Sequence, residues 1–413
     1  MGAGQAVSER TEPLRVQIAA SVLCFLVILA DGYDTAVISY AAPTLAHVWN
    51  VPPAAFTPAF VATSLGAVIG YLCCGALSSL FGHRRVIIVS VIAFGLLCLL
   101  TLFATGISQL TAARFVTALG LGGAVPTAIA LASDHAPARR RELTAVAVTV
   151  AIVFGISLGG LVAVPLLRQF GWRGPFVLGG VAPLLLALAL LAWLPDTAGR
   201  ARRREERSAP GGLLRDGLAI PTLLLWAMTF LSFMQSYSFT YWLPLLLTSF
   251  GFDRATAALG NSYTGFGAIA GVLLMLVCVP FVGSARYLAA SFVIGSAFVL
   301  VLSFGGLPNS TVPALLFLIG AGLGIGGVGQ ATIGAMLYPA ALRTTGIGWS
   351  SAMGRIGSIV GPAFAGAFVG LEWPARSIIA LATVPALISA AAAVGIFLTG
   401  SRRRAAAEAE LHG

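Results

Sequence analysis

The sequence contains no lysine and few charged residues of any kind. Only 9% of its 413 residues are charged, whereas hydrophobic residues make up 58%. A typical soluble domain carries about 25% charged residues, so this composition excludes an ordinary soluble protein. The sequence therefore predicts a protein that crosses the membrane many times and has the lipid bilayer as its main surroundings.

Residues that could build an enzyme site or a metal site are also scarce. The four histidines lie in loops or at predicted helix ends, and the sequence shows no metal-ligand cluster and no nucleophile motif. The five cysteines all lie in apolar segments without metal-type spacing, and their odd number argues against a disulfide framework. We therefore expect no cofactor and no metal, and a membrane-embedded enzyme or a non-transporting sensor is only a weaker alternative.

Twelve long apolar segments run through the chain. Most of them exceed the roughly 18 to 20 residues that a helix needs to cross the bilayer. They lack the period-two alternation of a membrane-spanning β-barrel, so we predict an all-α membrane protein. The segments are residues 16–42, 56–80, 86–106, 110–133, 144–168, 173–194, 218–248, 256–282, 286–306, 311–337, 344–370 and 375–399.

The 24 basic residues are all arginines, and their distribution indicates the topology. With the N-terminus placed in the cytoplasm, the inside segments hold 18 arginines and the outside loops hold 4. This asymmetry predicts that both termini are cytoplasmic. The basic residues are scattered over short loops, so no nucleic-acid partner is expected. The first 15 residues are polar and mixed in charge, which argues against a cleavable signal peptide.

The chain also repeats itself. A gapless shift of 202 residues superposes the Gly-Leu-Gly sequence at 120–122 on that at 322–324, and Arg141 on Arg343. This offset covers six helices and so preserves their direction, which predicts two parallel repeats. The predicted parts are a cytoplasmic tail (1–15), a six-helix bundle (16–194), an arginine-rich cytoplasmic linker (195–217), a second six-helix bundle (218–399) and a second cytoplasmic tail (400–413).

Two aspartates, Asp31 and Asp34, interrupt the first apolar segment. An ionised carboxylate near the bilayer centre costs roughly 2.5–3.5 kcal/mol unless it is neutralised, paired or hydrated. The spacing of three places both aspartates on one helix face, where a single water-filled cavity could hydrate them and where two like charges favour the binding of a proton. They are predicted to form a proton-binding site. The alternative is that arginine or backbone partners inside the bundle merely satisfy them.

Several stretches resemble a known family. Asp31-Gly-Tyr-Asp34, the segment from Arg114 to Pro126, and the segment from Tyr338 to Pro362 are similar to helices one, four and ten to eleven of the aromatic acid:proton symporter family, in the major facilitator superfamily. The resemblance implies twelve helices in two parallel six-helix repeats, the major facilitator fold. It also implies a monomer in the bacterial inner membrane that imports a small aromatic carboxylate, of the benzoate or hydroxybenzoate type, with a proton. Proton-driven export of drug-like compounds is the main alternative.

Two arginines lie within predicted helices, and the resemblance implies that they bind carboxylates. Arg355, in the eleventh helix, is expected to bind the substrate carboxylate, because a guanidinium matches a carboxylate in bidentate geometry. Its alternative role is to pair with an aspartate. Arg114, in the fourth helix, is expected to couple to Asp31 or Asp34, since helices one and four adjoin in this superfamily.

Helix seven supplies further substrate-binding candidates. Gln235, Ser238 and Tyr241 are spaced at three and share one helix face. An aromatic ring could stack against such a face while a hydroxyl or an amide binds a ring substituent. Tyr33, between the two aspartates, is a fourth candidate, although it points off their face and could serve only in packing.

The remaining motifs belong to loops that gate transporters of this superfamily. The loop after helix two usually reads Gly-x-x-x-Asp-Arg-x-Gly-Arg-Arg, and here Ser79 and Leu80 replace the acid and the arginine after it. Loss of that acid predicts a loosely latched outward-open state, unless Asp134 or Glu142 supplies the charge. The residues expected to act in gating are Gly75, Gly82, Arg84, Arg85, Asp134, Arg141 and Arg343.

Overall fold

The computed structural model describes residues 13–137, 140–195, 210–215, 217–304 and 306–412. Much of the predicted linker therefore lies outside the described residues, as does most of the predicted N-terminal tail. Within the described ranges the chain is helical and has no β-strand. The helices are α1 (Leu14–Val48), α2 (Thr57–Phe81), α3 (His83–Leu100), α4 (Ile107–Gly122), α5 (Ala124–His135), α6 (Arg141–Phe170), α7 (Arg173–Trp193), α8 (Ala219–Thr248), α9 (Leu259–Val282), α10 (Ser284–Phe304), α11 (Val312–Leu323), α12 (Gly326–Leu337), α13 (Ala340–Gly370), α14 (Ala375–Leu381) and α15 (Thr383–His412).

Twelve segments of the described chain are helical, long and apolar enough to cross a membrane, which confirms the predicted number of spans. The first helix runs past its predicted end at residue 42 and reaches Val48, with Pro43 inside it. Pro43 has no N–H to donate, but neighbouring helices can satisfy the backbone group that a proline frees within a membrane bundle. The eleventh span runs from Thr345 to Gly370, close to the predicted 344–370, although the helix that contains it, α13, begins earlier, at Ala340.

The fourth and tenth spans are each broken into two helices at repeat-related positions. The break between α4 and α5 lies at Gly123, and the break between α11 and α12 lies at Gly324 and Ile325. A side chain at Gly122 would collide with the carbonyl of Ala67, so this glycine lets α4 approach α2 at backbone distance. The break in the fourth span therefore lies directly after the Gly-Leu-Gly sequence. Close packing against α2, and not a contact with a polar group, accounts for the glycine at position 122.

The same helix pairs pack in both halves of the chain. In the first half α1 packs on α6, α2 on α4 and α3 on α7; in the second half α8 packs on α13, α9 on α11 and α10 on α15. These are the first and fifth, second and fourth, and third and sixth spans of each repeat. Two buried apolar clusters follow this division, one mainly in the first six spans and one mainly in the last six.

Glycines allow the first and fifth spans of each half to touch. A Cβ added at Gly155 would collide with the carbonyl of Leu29, and one added at Gly357 would collide with the carbonyl of Phe230. Removing side chains from one helix face in this way lets two backbones approach closely. This packing fixes the position of α1 against α6. It thereby sets how deep in the bundle the residues around Gly32 lie.

The two halves are in contact toward one end of the bundle. We call the end where α2 joins α3 at Gly82 the linker face, and the end where α1 and α8 terminate the far face. Contacts between the halves involve α1, α2 and α6 on one side and α8, α9 and α13 on the other. Toward the far face, Asn261 donates to Ser39 Oγ at 3.0 Å, and Arg168 pairs with Asp253 at 3.7 Å. The halves are thus joined across the far-face part of their interface.

Candidate transport site

The centre of the site is a buried ion pair between α1 and α4. Arg114 donates to both carboxylate oxygens of Asp34, with each N–O distance 2.7 Å, and to the main-chain carbonyl of Asp34 at 3.0 Å. The arginine is 0% exposed and the aspartate 1%. Bidentate, charge-assisted bonds of this kind are among the strongest that side chains form. Of the two partners that the sequence allowed for Arg114, the structure therefore places Asp34 against it.

Asp31 lies one helical turn from Asp34 and is 5% exposed. It lines a cavity between the halves together with Asp34 and Arg355. Within the described residues it forms no salt bridge, although Arg355 and Asp34 lie within electrostatic range. The two aspartates thus share a helix face, as their spacing predicts, but they differ in what neutralises them.

Arg355 reaches the cavity from α13 in the second half. Its guanidinium carbon lies 4.0 Å from the ring centroid of Tyr71, and its Nη1 donates to the Tyr237 hydroxyl at 3.4 Å. A guanidinium over an aromatic face is attracted by the ring's quadrupole. Because Tyr71 belongs to α2 and Tyr237 to α8, this arrangement joins the two halves. Arg355 is half-buried and is held by uncharged groups that an anion could replace.

An aromatic cluster covers the cavity on its far-face side. The ring of Phe60 lies parallel to that of Tyr241 at 5.1 Å and edge-on to that of Trp242 at 5.0 Å. Ser64 Oγ donates to the Tyr241 hydroxyl at 3.5 Å. The cavity is narrow, with room for about one water molecule. The halves must therefore move before anything larger than water enters.

The other predicted substrate-binding residues lie in different surroundings. Tyr241 lines the cavity. Gln235 is buried, and its Nε2 has no hydrogen-bond partner among the described residues. Ser238 donates back to the carbonyl of Met234 within α8. Tyr33 is buried, and its hydroxyl donates to the carbonyl of Pro175 at 2.7 Å, so its polar group is already satisfied within the first half.

Arg84 acts at the linker face by fixing one helix end. It donates to the carbonyls of Leu191 and Leu194 at 2.7 and 2.8 Å, so it caps the last turn of α7. Its repeat counterpart Arg286 lies over the ring of Phe397 at 4.9 Å. Both arginines therefore tie the third span of a half to its sixth.

The other predicted gating residues lie along the same end of the bundle. Gly82 has φ +82°, a conformation that side chains rarely adopt, and it turns the chain from α2 into α3. Ser79 is exposed, and its hydroxyl donates to the carbonyl of Ala76 at 2.7 Å. Asp134 is half-buried on α5, and the side chain of Glu142 lies outside the described part of the structure. Gly75 lies within α2, whereas Arg85, Arg141 and Arg343 are exposed at the starts of α3, α6 and α13.

Sequence reasoning missed Tyr71 and Tyr237 as partners of Arg355. Tyrosine commonly occupies the ends of membrane spans, where it meets the interface, but Tyr71 follows Gly70 well inside α2. Its central position in the span was the sequence feature that could have identified Tyr71 as a site residue. The repeat gives no help, because position 273 in the second half is a leucine.

Comparison with known proteins gives a consistent result. The family model described as Major Facilitator Superfamily matches residues 24–328. The chain is 30% identical to the 4-hydroxybenzoate transporter PcaK of Pseudomonas putida, with 94% of each chain covered. It is 34% identical to the 3-(3-hydroxy-phenyl)propionate transporter of Escherichia coli K12, with 92% of this chain and 93% of that protein covered.

A solved structure shares the fold. The crystal structure of the nucleoside transporter NupG superposes with a TM-score of 0.73 at 14% sequence identity, covering 92% of this chain and 99% of that one. The protein is thus a transporter rather than an enzyme, and a multi-pass protein of the inner membrane. The chain belongs to the major facilitator superfamily and, within it, to the family that contains these aromatic acid transporters.

Proposed function

We propose that the protein is a proton-coupled secondary transporter that imports a small aromatic carboxylate by alternating access. The observation that carries the proposal is a set of four charged residues: Asp31, Asp34 and Arg355, which line the cavity, and Arg114, which pairs with Asp34 behind it; we call them the charge quartet. When all four are ionised their formal charges cancel. Isolated charge within the membrane is costly, so a balanced set is the stable resting arrangement.

Charge balance links the substrate to the proton. A carboxylate that binds Arg355 adds one negative charge to the balanced quartet. Protonation of one aspartate removes one negative charge and restores the balance. The two events therefore favour each other, which is the thermodynamic requirement for symport.

Once the halves have moved apart, the residues that line the cavity suit an aromatic acid in particular. Arg355 offers a planar fork that matches a carboxylate, and Tyr71, Tyr237 and Tyr241 line the same space. Their rings can stack on an aromatic substrate, while their hydroxyls can bond a ring substituent. The relatives named for transport of 4-hydroxybenzoate and of 3-(3-hydroxy-phenyl)propionate support this substrate class.

Alternating access requires the halves to rock about the cavity. We propose that the six-helix bundles 16–194 and 218–399 move as bodies, with the linker 195–217 and both termini in the cytoplasm and one chain as the working unit. On this orientation the linker face is cytoplasmic. The contacts at the far face then close the outer side, and outward opening would break them.

The test is uptake by the purified protein in liposomes. An imposed inward proton gradient should drive 4-hydroxybenzoate above its external concentration, whereas 4-hydroxybenzamide, which has the same ring but no charge, should not accumulate. Protein-free liposomes correct for passive entry of the acid. Absence of gradient-driven accumulation for a panel of benzoates and phenylpropanoid acids would overturn the proposal. Proton release during substrate entry would instead indicate the antiport of an exporter.

A further inference from the structure

We propose that the two aspartates have different roles: Asp31 alone carries the coupled proton, and Asp34 stays ionised as the permanent counter-ion of Arg114. In this scheme ionised Asp31 balances the charge of Arg355 before binding, and the substrate carboxylate balances it once Asp31 is protonated. The inference rests on the proposed function and assigns its coupling to a single residue. It follows from how each carboxylate is bonded and from which half of the protein holds its partner.

Asp34 is poorly placed to take a proton. Both of its carboxylate oxygens accept bonds from Arg114 at 2.7 Å. A proton on Asp34 would leave a guanidinium that is 0% exposed without its counter-ion. Removing one partner of a buried ion pair is strongly unfavourable, because the remaining charge is not compensated. The third bond, from Arg114 to the Asp34 carbonyl, also fixes α1 to α4.

Asp31 is free of that constraint. No described residue forms a salt bridge with it, and the groups that face it come from three neighbouring helices. These groups are Tyr71 on α2, Tyr237 and Tyr241 on α8, and Arg355 on α13, with Asp34 and its partner Arg114 on the first-half side. When Asp31 takes a proton, Arg355 is still held by the Tyr71 ring and the Tyr237 hydroxyl. The guanidinium is then available to a substrate carboxylate.

The partners also divide between the halves. Asp34 and Arg114 both belong to the first half, so rocking of the halves leaves their bonds intact. Asp31 and Arg355 belong to different halves, and their attraction acts across the moving interface. Of the two carboxylates, therefore, only Asp31 has a charge that responds both to the substrate and to the position of the halves. A coupling residue must have these two properties.

Three variants separate this scheme from one in which Asp34 carries the proton. Asp31→Asn imitates a permanently protonated residue, so it should exchange labelled 4-hydroxybenzoate across the membrane but lose accumulation, with the inside to outside ratio falling to one. Asp34→Asn should lower the yield of folded protein, because Arg114 loses its counter-ion. Asp34→Asn combined with Arg114→Gln removes both charges, so it should transport more slowly than the parent yet still accumulate substrate in response to the proton gradient.

The pH dependence of binding gives a second readout that needs only folded protein. If one proton is linked to binding, the Kd of the parent for 4-hydroxybenzoate should rise about tenfold per pH unit in its alkaline range, and that of Asp31→Asn should not. A double variant that exchanges substrate without accumulating it would overturn the inference. So would gradient-driven accumulation, or the parent's pH slope, in Asp31→Asn. A parent that shows no proton-driven uptake would overturn the proposed function itself.

Discussion

Replacement of Arg355 tests how the carboxylate is recognised. The guanidinium lies 4.0 Å from the Tyr71 ring centroid and bonds the Tyr237 hydroxyl, so its plane is held in place before substrate arrives. Such preorganisation lowers the entropy that binding must overcome. Arg355→Ala removes the fork, and Arg355→Lys keeps a positive charge but offers no planar pair of donors.

The expected loss follows from the number of bonds. A hydrogen bond to a charged group contributes about 1.5–3 kcal/mol, and a bidentate carboxylate uses two of them. Arg355→Ala should therefore weaken binding by at least about 3 kcal/mol, or more than about 100-fold in Kd. Arg355→Lys retains one such bond, so a loss of about 1.5 kcal/mol, or roughly tenfold, is expected.

The assay is titration of the detergent-purified protein with 4-hydroxybenzoate and 4-hydroxybenzamide. The parent should prefer the acid, and this preference should shrink in the lysine variant and disappear in the alanine variant. Arg376→Ala is the matched control, because Arg376 also lies over an aromatic ring, that of Phe250, at 5.2 Å but is exposed away from the cavity. A lysine variant that binds the acid as tightly as the parent would refute bidentate recognition and leave only long-range attraction.

Three further experiments test the packing and the gates. Gly155→Ala should lower the free energy of unfolding by about 1–3 kcal/mol, because its Cβ would meet the Leu29 carbonyl. Gly348→Ala is the control and should be tolerated, because there is open space around Gly348. Thermal melts of the two variants test this difference. Asn261→Ala removes hydrogen bonds to Ser39 and to the Thr240 carbonyl, which should let the far face open more often. Labelling of a cysteine placed at Thr57, near the far face, should then rise severalfold. Unchanged labelling would show that these bonds do not hold that face shut. Ser79→Asp with Leu80→Arg restores the acid that the loop after α2 lacks, and about 1.4 kcal/mol of differential stabilisation would shift the population tenfold toward the state open at the far face. No change in labelling of cysteines at the far-face ends of α1 and α8 would indicate that another acid already serves as the latch.

Much of the fold was predictable because the membrane allows few solutions. Every backbone group in lipid must be bonded internally, so long apolar runs become helices, and the number of spans follows from the runs themselves. The broken fourth and tenth spans were not predicted. The Gly-Leu-Gly sequence reveals the repeat, and the packing of Gly122 against α2 accounts for that glycine, but neither shows that the helix is interrupted directly after it.

The site was predictable in composition but not in pairing. Charged residues are rare within membrane spans and are usually functional there, so Asp31, Asp34, Arg114 and Arg355 could be named from the sequence alone. Two carboxylates one turn apart are both within reach of an arginine on a neighbouring helix, and the sequence does not choose between them. The choice depends on the depth at which α4 meets α1. Tyr71 was missed because tyrosine in a membrane protein is expected mainly at the interface, not near the middle of a span.

The most direct test of the central claim is the proton flux that accompanies substrate entry. Liposomes with equal pH on both sides receive an inward gradient of 4-hydroxybenzoate, and a trapped pH indicator follows the lumen. Protein-free liposomes correct for passive entry of the acid. The charge balance of the quartet predicts acidification of about one proton per carboxylate, insensitive to an imposed membrane potential and lost in Asp31→Asn. A lumen that stays at constant pH while substrate enters, or that becomes alkaline, would contradict proton symport.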